Sequence, residues 1–455
     1  MARSVLNLRL ACWSSPNRVS VNSSSIDHFE PGSISWVRRW GKLPPGLKLY
    51  LAMIISIWAL TAIALVYYHF TSSMLETQLW SPRTDNFGDF WHYYKLFASF
   101  HTQAFFESAD RFAYPAPCAV LYAMLYGAGP RPHLVFDILL VLVFLASGYL
   151  FFRALQHFGV ERKEAALITA LLMMTTYPWH TLYDRANLEL FVYVFLAGGV
   201  WAFLTDRPVL AAALWGCAGA MKIYPIALLA LFLHRRTKLP LLVGLATFAG
   251  VLLLSFWYAG PTIAAAARGT VEGMTGFIGH YAASARREEL NLDHSMLGAL
   301  KEILSLNMFH LGEDWSRMSR VYQFAVFLGA PILFFGWIRR LPLLNELCLL
   351  LVAVVLLPPV SYDYTLVHIY LVMGIVLGAY FYAIRRGRAF PGAMVYFAAF
   401  ALLTTPQTWI HLRGLRPNGV IKCLALIVIA VLLMRFPLSV GLPVENLHER
   451  GAPPD

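Results

Sequence analysis

Charged residues are scarce in this sequence. Asp, Glu, Lys and Arg make up 13% of the 455 residues, against about 25% in an ordinary soluble domain. Hydrophobic residues make up 58%, and the mean hydropathy is +0.59. So little polar surface cannot cover so much apolar volume in water, and the composition also excludes a disordered chain. We therefore predict a membrane protein that crosses the bilayer several times.

Motifs that would indicate several other kinds of chemistry are lacking. The five cysteines lie far apart and form no Cys-x-x-Cys pair, which argues against a disulfide scaffold or a zinc site. The sequence has no glycine-rich phosphate loop, HExxH, GxSxG or Asp-x-Asp nucleotide-sugar motif in a credible setting. We expect no metal and no cofactor.

Acidic residues are scarcer than basic residues: the sequence has 25 Asp and Glu and 36 Lys and Arg, so the net charge is +11. The basic residues cluster where apolar runs end, for example at Arg339 and Arg340 and at 385–388. Cytoplasmic loops of membrane proteins collect Lys and Arg in this way. This placement explains the charge without nucleic acid, which we do not expect as a partner.

The chain is predicted to form one membrane domain between two tails. Residues 1–48 lack the apolar core of a signal peptide and are interpreted as a disordered cytoplasmic tail. Residues 49–434 form the transmembrane domain, with outside loops at 71–114 and 260–320. Residues 435–455 form a second cytoplasmic tail.

The membrane domain is predicted to be an all-α, polytopic helical bundle of about ten to twelve membrane helices, since a span needs about 20 apolar residues. The clear candidates are 49–70, 134–153, 187–204, 239–259, 321–338, 343–359, 365–384 and 418–434. The shorter or interrupted candidates are 115–130, 165–180, 208–233 and 391–405. Some of these would be half-length helices buried among the others, which a bundle tolerates.

Asp89 lies in the first outside loop. The stretch 85–97 carries aromatic residues at helical spacing, which predicts an amphipathic helix at the membrane interface. Asp89, His92 and Tyr93 share the opposite face of that helix. A carboxylate at this depth can act as a general base towards a hydroxyl; alternatively, it is a solvated Asp on an interfacial helix.

Two cations lie at or near membrane depth. Lys222 interrupts the run 208–233, where an unpaired lysine costs about 2.5–3.5 kcal/mol, so we expect it to have a partner or a cavity. It either holds a lipid-linked phosphate or snorkels past a broken helix. Arg185 can clamp a phosphate at two points, or it pairs with Asp184 or Glu189.

Further polar candidates flank the later spans. Arg286 and Arg287 lie in the second outside loop, where they contact anionic headgroups or a phosphate, or form a solvated charged turn. Asp363 and His368 follow the run 343–359. Neither residue is specific alone, because a histidine near a helix start is more often structural than catalytic.

The order of these landmarks resembles that of the family 87 glycosyltransferases, which are integral-membrane enzymes of the GT-C fold. The resemblance covers residues 50–434. Its landmarks are Asp89 to Tyr93, Tyr-Pro-x-Pro at 114–117, Arg-Ala-Asn at 185–187, Lys-Ile-Tyr-Pro at 222–225, Asp-His-Ser at 293–295 and Pro-Val-Ser-Tyr-Asp at 359–363.

The resemblance implies an inverting hexosyltransferase of the bacterial plasma membrane, with its active site on the periplasmic or extracellular side. The donor would be a polyprenyl-phosphate sugar, with mannose as the expected hexose, and the acceptor would be a hydroxyl of a lipid or glycan. Asp89 would be the catalytic base, and Lys222, Arg185 and Arg287 would hold the donor phosphate. The substrate-binding residues would be His92, Tyr93, Asn187, Tyr224, Asp293, His294, Asp363 and His368.

Two other functions remain compatible with the sequence: a transporter or flippase of a lipid-linked or anionic substrate, and a non-catalytic member of the same fold. The long outside loops favour the transferase, because transporters more often show paired repeats and short loops. If the site is correct, we expect Asp89, Lys222 and Asp363 to surround one cavity.

Overall fold

The structure is a computed structural model that describes residues 43–70, 87–107, 112–157, 160–174, 176–233, 238–282, 290–305, 315–410 and 417–438. The chain divides into two units, Met1–Leu43 and Pro44–Asp455. Within the first unit, the structure describes Leu43 and no other residue. The two predicted tails, 1–48 and 435–455, lie almost entirely outside the described residues. The fold below is that of the second unit.

Most of the described residues are helical. In chain order the α-helices are α1 Pro45–Phe70, α2 Gly88–His92, α3 Gln103–Glu107, α4 Ala116–Tyr126, α5 Pro132–His157, α6 Arg162–Met174, α7 Tyr177–Arg185, α8 Glu189–Leu204, α9 Pro208–Met221, α10 Leu239–Ala259, α11 Ile263–Phe277, α12 Met296–Leu304, α13 Trp315–Gly336, α14 Leu343–Leu356, α15 Ile369–Arg385, α16 Ala393–Thr404 and α17 Asn418–Arg435. Short 3₁₀-helices occupy Leu96–Ser99, Tyr224–Phe232, Ile338–Arg340 and Asp363–His368, and a π-helix occupies Ile278–Ala282. Within these ranges no β-strand forms, and the predicted all-α class is confirmed.

Six of the described helical segments are long and apolar enough to cross a membrane: Pro45–Tyr67, Pro132–Gln156, Leu239–Ala259, Trp315–Arg340, Asp363–Arg385 and Asn418–Arg435. The apolar helices α4, α8, α9, α14 and α16 have only 10–17 residues. At 1.5 Å per residue they are shorter than the roughly 30 Å hydrocarbon core. The predicted count of ten to twelve membrane helices is therefore not confirmed.

The apolar run 208–233 is broken, as predicted, at Lys222. This residue is extended (φ −140°, ψ 129°) between the end of α9 and the 3₁₀-helix Tyr224–Phe232. Pro225, inside that 3₁₀-helix, has no backbone N–H with which to continue an α-helical ladder. The break places the Lys222 side chain at a helix end instead of along a continuous lipid-facing helix.

Helix α14 shows how a short apolar helix fits into the bundle. Every residue of α14 except Ala353 is buried. A helix enclosed by protein need not span the bilayer, because its ends are covered by neighbouring segments instead of lipid. The run predicted as a span at 343–359 is therefore a shorter internal helix, which ends before Pro358 and Pro359.

The predicted amphipathic helix at 85–97 is wrong. Phe87 adopts a left-handed conformation (φ 64°), and only the short α2 follows before the chain turns into the 3₁₀-helix Leu96–Ser99. Phe90 is fully buried, with its ring packed against Tyr122 and Tyr126 of α4. The aromatic spacing therefore reflects packing of the loop onto α4, and not one continuous face turned towards lipid.

The site is built where several segments end or break. The 3₁₀-helix Asp363–His368 packs against α7, α8, α14 and α15. The short α2 packs against α7, which brings the loop that carries Asp89 to the same region. The candidate site residues thus come from the end of α7, the start of α8, the break after α9 and this 3₁₀-helix.

Candidate functional site

Asp89 is held by two donors in what we call the outer cluster, formed by Asp89, Tyr114, Arg185 and Asn187. Arg185 forms an ion pair with Asp89 Oδ1, and Asn187 Nδ2 donates to Oδ2 at 2.7 Å. Asn187 Nδ2 also donates to the Tyr114 hydroxyl at 3.0 Å. The side chains of Asp89 and Arg185 are 14% and 38% exposed, so this pair is reachable from outside the protein.

A tight turn between α7 and α8 creates this arrangement. Ala186 takes a left-handed conformation (φ 45°), so the chain reverses immediately after Arg185. Asn187 Oδ1 then accepts a hydrogen bond from the backbone N–H of Glu189, the first residue of α8, at 2.9 Å. The Phe87 N–H donates to the Asp184 carbonyl at 2.8 Å, which ties the Asp89 loop to the same turn.

The electrostatics of the outer cluster favour a charged Arg185 beside a neutral Tyr114 phenol. Burial acts to lower the pKa of Arg185, but the charge and hydrogen bond of Asp89 more than offset it, so that pKa lies above its ordinary value. Burial raises the pKa of Tyr114 well above its ordinary value, and the neighbouring Tyr364 and Asp89 side chains raise that pKa further. Tyr114 therefore remains a hydroxyl that can donate a proton in a hydrogen bond.

The middle cluster consists of Glu189, Lys222, Tyr364 and His368. Glu189 is 2% exposed and binds two partners: Lys222 forms an ion pair with Oε2, and His368 Nε2 lies 2.5 Å from Oε1. The Lys222 ammonium also lies 5.5 Å from the centre of the Tyr364 ring. Lys222 thus has the buried counter-charge that its position in an apolar run predicts.

A small cavity adjoins the middle cluster. Its volume is about 20 Å³, enough for a water molecule and far below the roughly 300–1,000 Å³ of a ligand pocket. The residues that line it are Glu189, Lys222, Tyr224, Pro225, Val354, Pro358, Val360, Ser361, Thr365 and His368. His368 Nδ1 has no hydrogen-bond partner among the described residues.

The inner cluster is the most deeply buried group and consists of Asp293, His294, Ser361, Asp363, Thr365, Asn418 and Lys422. Asp363 Oδ2 pairs with Lys422 Nζ at 2.7 Å and accepts from Asn418 Nδ2 at 3.0 Å. On its other side, Asp363 Oδ1 lies 3.4 Å from His294 Nδ1. Each carboxylate oxygen of Asp363 is therefore occupied by protein.

Asp293 joins two loops at the edge of the inner cluster. Its Oδ1 accepts backbone N–H bonds from Ser295 at 3.0 Å and from Ser361 at 2.9 Å. Burial raises the pKa of Asp293, although these two bonds act to lower it. His294 Nε2 lies 3.1 Å from Ser361 Oγ and 3.2 Å from Thr365 Oγ1. Asp293 and His294 thus fix loop geometry.

The described site residues fall into these three groups. Lys222, Tyr224 and His368 line the small cavity, whereas Asp89 and Asp363 do not line it, and one cavity shared by Asp89, Lys222 and Asp363 stays a prediction. The outer and middle clusters are linked through the chain, because Asn187 of the outer cluster accepts a hydrogen bond from the backbone N–H of Glu189 of the middle cluster. Ser361 and Thr365 of the inner cluster also line the cavity.

Two other predicted residues, Tyr93 and His92, lie at the edge of this arrangement. Tyr93 is buried, with its ring 6.0 Å from that of Tyr114. His92 is exposed and its ring packs on Tyr93 at 4.6 Å. Arg287 lies outside the described residues, as does Arg286.

Several partners in these clusters are not among the predicted site residues. The sequence suggests Glu189 only as a partner of Arg185, whereas it pairs with Lys222 and His368. Lys422 is also absent from the predicted site, although a lysine inside the apolar run 418–434 is the same signal that identifies Lys222. The other missed members, with short polar or aromatic side chains and no such signal, are Tyr114, Ser361, Tyr364, Thr365 and Asn418.

Comparison with known proteins identifies the family. A family model described as Glycosyltransferase family 87 matches residues 112–359, more than half of the chain. The chain belongs to glycosyltransferase family 87. The match includes Tyr114, Arg185, Asn187, Glu189, Lys222, Asp293 and His294, whereas Asp89, Asp363, His368 and Lys422 lie beyond its ends. No curated protein and no solved structure matches the chain.

Family membership settles the broad nature of the molecule. Together with its apolar helices, it makes this chain an integral membrane protein of a glycosyltransferase family. The GT-C fold and the site residues stay predictions. Among the described residues, no group of three or more His, Cys, Asp or Glu side chains could hold a metal ion.

Proposed function

We propose that this family 87 protein transfers a hexose, with mannose the first candidate, from a polyprenyl-phosphate sugar to a hydroxyl of a lipid or glycan acceptor. The transfer takes place on the outer face of a bacterial plasma membrane and inverts the anomeric configuration. The observation that carries this proposal is the outer cluster: a reachable carboxylate is oriented by an arginine and an asparagine, near a partly exposed lysine that pairs with a buried glutamate.

Asp89 is the catalytic base in this proposal. Each of its oxygens accepts from one protein donor, so each retains a lone pair that can accept the acceptor's proton. Asn187 orients the carboxylate from Oδ2. Such positioned proton transfer typically contributes about 10²–10⁴-fold to a rate.

Arg185 and Lys222 hold the donor phosphate. Both cations are paired with carboxylates in the described structure, and both are partly exposed, at 38% and 23% of their side chains. An entering phosphate competes with Asp89 for Arg185, and the forked guanidinium suits two phosphate oxygens. Partner exchange would release the Asp89 oxygen that Arg185 holds, so that this oxygen can accept from the acceptor hydroxyl once the donor is bound. Arg287 remains a sequence prediction for the same role.

The remaining predicted residues contact the sugar or the acceptor, or shape the site. His368 offers Nδ1 to a hydroxyl when its Nε2 carries the proton shared with Glu189. Tyr224 lines the small cavity, and His92 and Tyr93 border the outer cluster. Asp293, His294 and Asp363 are buried and bound to one another or to nearby backbone, which favours an indirect role for them.

The reaction is a single displacement. The acceptor oxygen forms a bond to the anomeric carbon while the bond from that carbon to the phosphate oxygen breaks. The bonding electron pair leaves with the polyprenyl phosphate, whose added negative charge is stabilised by Arg185 and Lys222. The acceptor proton moves to Asp89. Attack opposite the leaving phosphate inverts the configuration.

The test is sugar transfer by the full-length protein in liposomes, with radiolabelled polyprenyl-phosphate mannose as donor and a membrane lipid extract as acceptor. We expect labelled product of inverted anomeric configuration. Movement of the labelled donor across the bilayer without sugar transfer would instead support the flippase alternative. Transfer with retention of configuration would contradict the single displacement.

A further inference from the structure

Lys422 is a fully buried cation in an apolar helix. It lies in the second turn of α17, which is apolar and long enough to span a membrane, and its exposed fraction is 0%. A lysine in such a position needs a counter-charge, because an isolated ammonium is poorly solvated there. Asp363, at 2.7 Å and 1% exposed, provides that counter-charge.

The Asp363 carboxylate is fixed from several directions. One turn before Lys422 on the same helix face, Asn418 donates to the same oxygen, Oδ2, and to the Asn291 carbonyl at 2.7 Å. The close approach of this face to the 290–293 backbone requires Gly419, since a Cβ there would lie 2.5 Å from the Asp293 carbonyl oxygen. Helix α17 is thus built to reach Asp363.

Lys422 also contacts the helix that presents Arg185. Its ammonium lies 4.1 Å from the centre of the Tyr177 ring, at the first residue of α7. Arg185, which pairs with Asp89, is the last residue of the same helix. Lys422 therefore touches both the start of α7 and the start of the 3₁₀-helix Asp363–His368.

The 3₁₀-helix Asp363–His368 connects the Lys422–Asp363 ion pair to the middle cluster. All six of its residues are buried, and its far end is His368, whose Nε2 contacts Glu189 Oε1 at 2.5 Å. In the same 3₁₀-helix, the Tyr364 ring lies under the Lys222 ammonium. A shift of Asp363 would therefore displace both His368 and Tyr364 relative to the Glu189–Lys222 pair.

From these contacts we infer that Lys422 is a positioning residue. It does not touch substrate; it holds Asp363 and Tyr177, and thereby sets where the segment Asp363–His368 meets the Glu189–Lys222 pair. This inference rests on the proposed function for its effect on catalysis, but the placement of the segment can be measured separately. The competing explanation is that Asp363 merely neutralises a buried lysine.

The double variant Lys422→Met/Asp363→Asn separates these explanations. It removes both charges and keeps similar volumes, and a buried ion pair replaced by neutral groups commonly retains folding. If the pair positions the segment, kcat for sugar transfer should fall about tenfold while the donor KM changes by less than about twofold. Hydrogen–deuterium exchange at 363–368 should also become faster.

Asn345→Ala is the matched control. Asn345 is buried and donates to the carbonyls of Leu433 and Phe436. Leu433 lies at the other end of α17, about 16 Å along the helix from Lys422. We expect a lower melting temperature for this variant, but an unchanged kcat below that temperature and unchanged exchange at 363–368.

The outcomes decide between the explanations. Wild-type kcat and wild-type exchange in the double variant would overturn the positioning role. If the double variant does not fold, Lys422→Arg decides: a reduced kcat at a wild-type melting temperature supports the role, and a wild-type kcat overturns it. If the wild-type protein transfers no sugar, the proposed function fails, while the exchange measurement still tests the placement of the segment.

Discussion

Asp89 and Asp363 share two kinds of partner, a cation and an asparagine amide, in different surroundings. Each carboxylate receives one cation and one asparagine amide: Asp89 from Arg185 and Asn187, and Asp363 from Lys422 and Asn418. The side chains of the first ion pair are 14% and 38% exposed, whereas those of the second are 2% and 0% exposed.

This difference in exposure distinguishes an ion pair that can take part in a reaction from an ion pair that stabilises the fold. A partly exposed pair can exchange partners with an incoming phosphate or hydroxyl, because solvent and substrate compensate each charge as it separates. A fully buried pair cannot open without leaving an uncompensated charge in protein, so it holds one geometry. Substitution of Asp89 should therefore change kcat strongly and the free energy of unfolding little. Substitution of Asp363 or Lys422 should change the free energy of unfolding more than it changes kcat.

The largest catalytic effect is expected for Asp89→Asn. The amide has the size of the carboxylate but cannot take the acceptor's proton, so kcat should fall about 1,000-fold. The melting temperature in detergent should stay near that of the wild type. Asp206→Asn is the control, since Asp206 is exposed in a left-handed turn (φ 57°) that Asn tolerates. Equal losses in both variants would contradict the comparison.

The largest stability effect is expected for Lys422→Met. This change leaves Asp363 buried without its cation, which should lower the free energy of unfolding by about 3–5 kcal/mol. Thermal unfolding in detergent measures the effect. A melting temperature as high as that of Asp89→Asn would show that the buried pair contributes no more than the exposed one.

Donor affinity should respond to Arg185→Gln. Loss of the guanidinium removes a charge-assisted contact to the donor phosphate, so the donor KM should rise about tenfold, equivalent to about 1.4 kcal/mol. Arg207→Gln is the control, because Arg207 is exposed and stacks on Trp201, apart from the three clusters. A donor KM that is unchanged in Arg185→Gln would remove Arg185 from the phosphate site.

The smallest effect is expected for Tyr114→Phe. The ring remains packed, and Asn187 loses one hydrogen-bond acceptor but keeps Asp89. The loss of one such bond is worth about 0.5–1.5 kcal/mol, so kcat should fall by a few-fold. Tyr149→Phe, which removes an exposed hydroxyl near Arg153, should leave kcat unchanged. An inactive Tyr114→Phe would give this hydroxyl a direct chemical role.

Hydropathy predicted the helices that lie along uninterrupted apolar runs. The run 239–259 corresponds to α10, Leu239–Ala259, because no proline or charge interrupts it after the first turn. The same rule failed at 343–359, where the helix is short and enclosed by protein. Apolar content reports that a segment avoids water, but it does not distinguish lipid from protein as the surrounding medium.

The sequence predicts several residues of the candidate site, but few of the pairs that these residues form. Asp89, Arg185 and Lys222 were identifiable because charge near membrane depth is costly. Their partners depend on contacts between distant segments: Glu189 is 33 positions from Lys222, and Asp363 is 59 positions from Lys422. Such contacts follow from how the helices pack, which local patterns do not specify.

A single-turnover experiment with Asp89→Asn separates donor binding from sugar transfer. The variant, in liposomes, is first loaded with radiolabelled polyprenyl-phosphate mannose, then mixed with acceptor lipid, and bound donor and labelled product are measured in the same sample. We expect that donor binds as in the wild type and that almost no mannose is transferred. Transfer at the wild-type rate would contradict the assignment of Asp89 as the base.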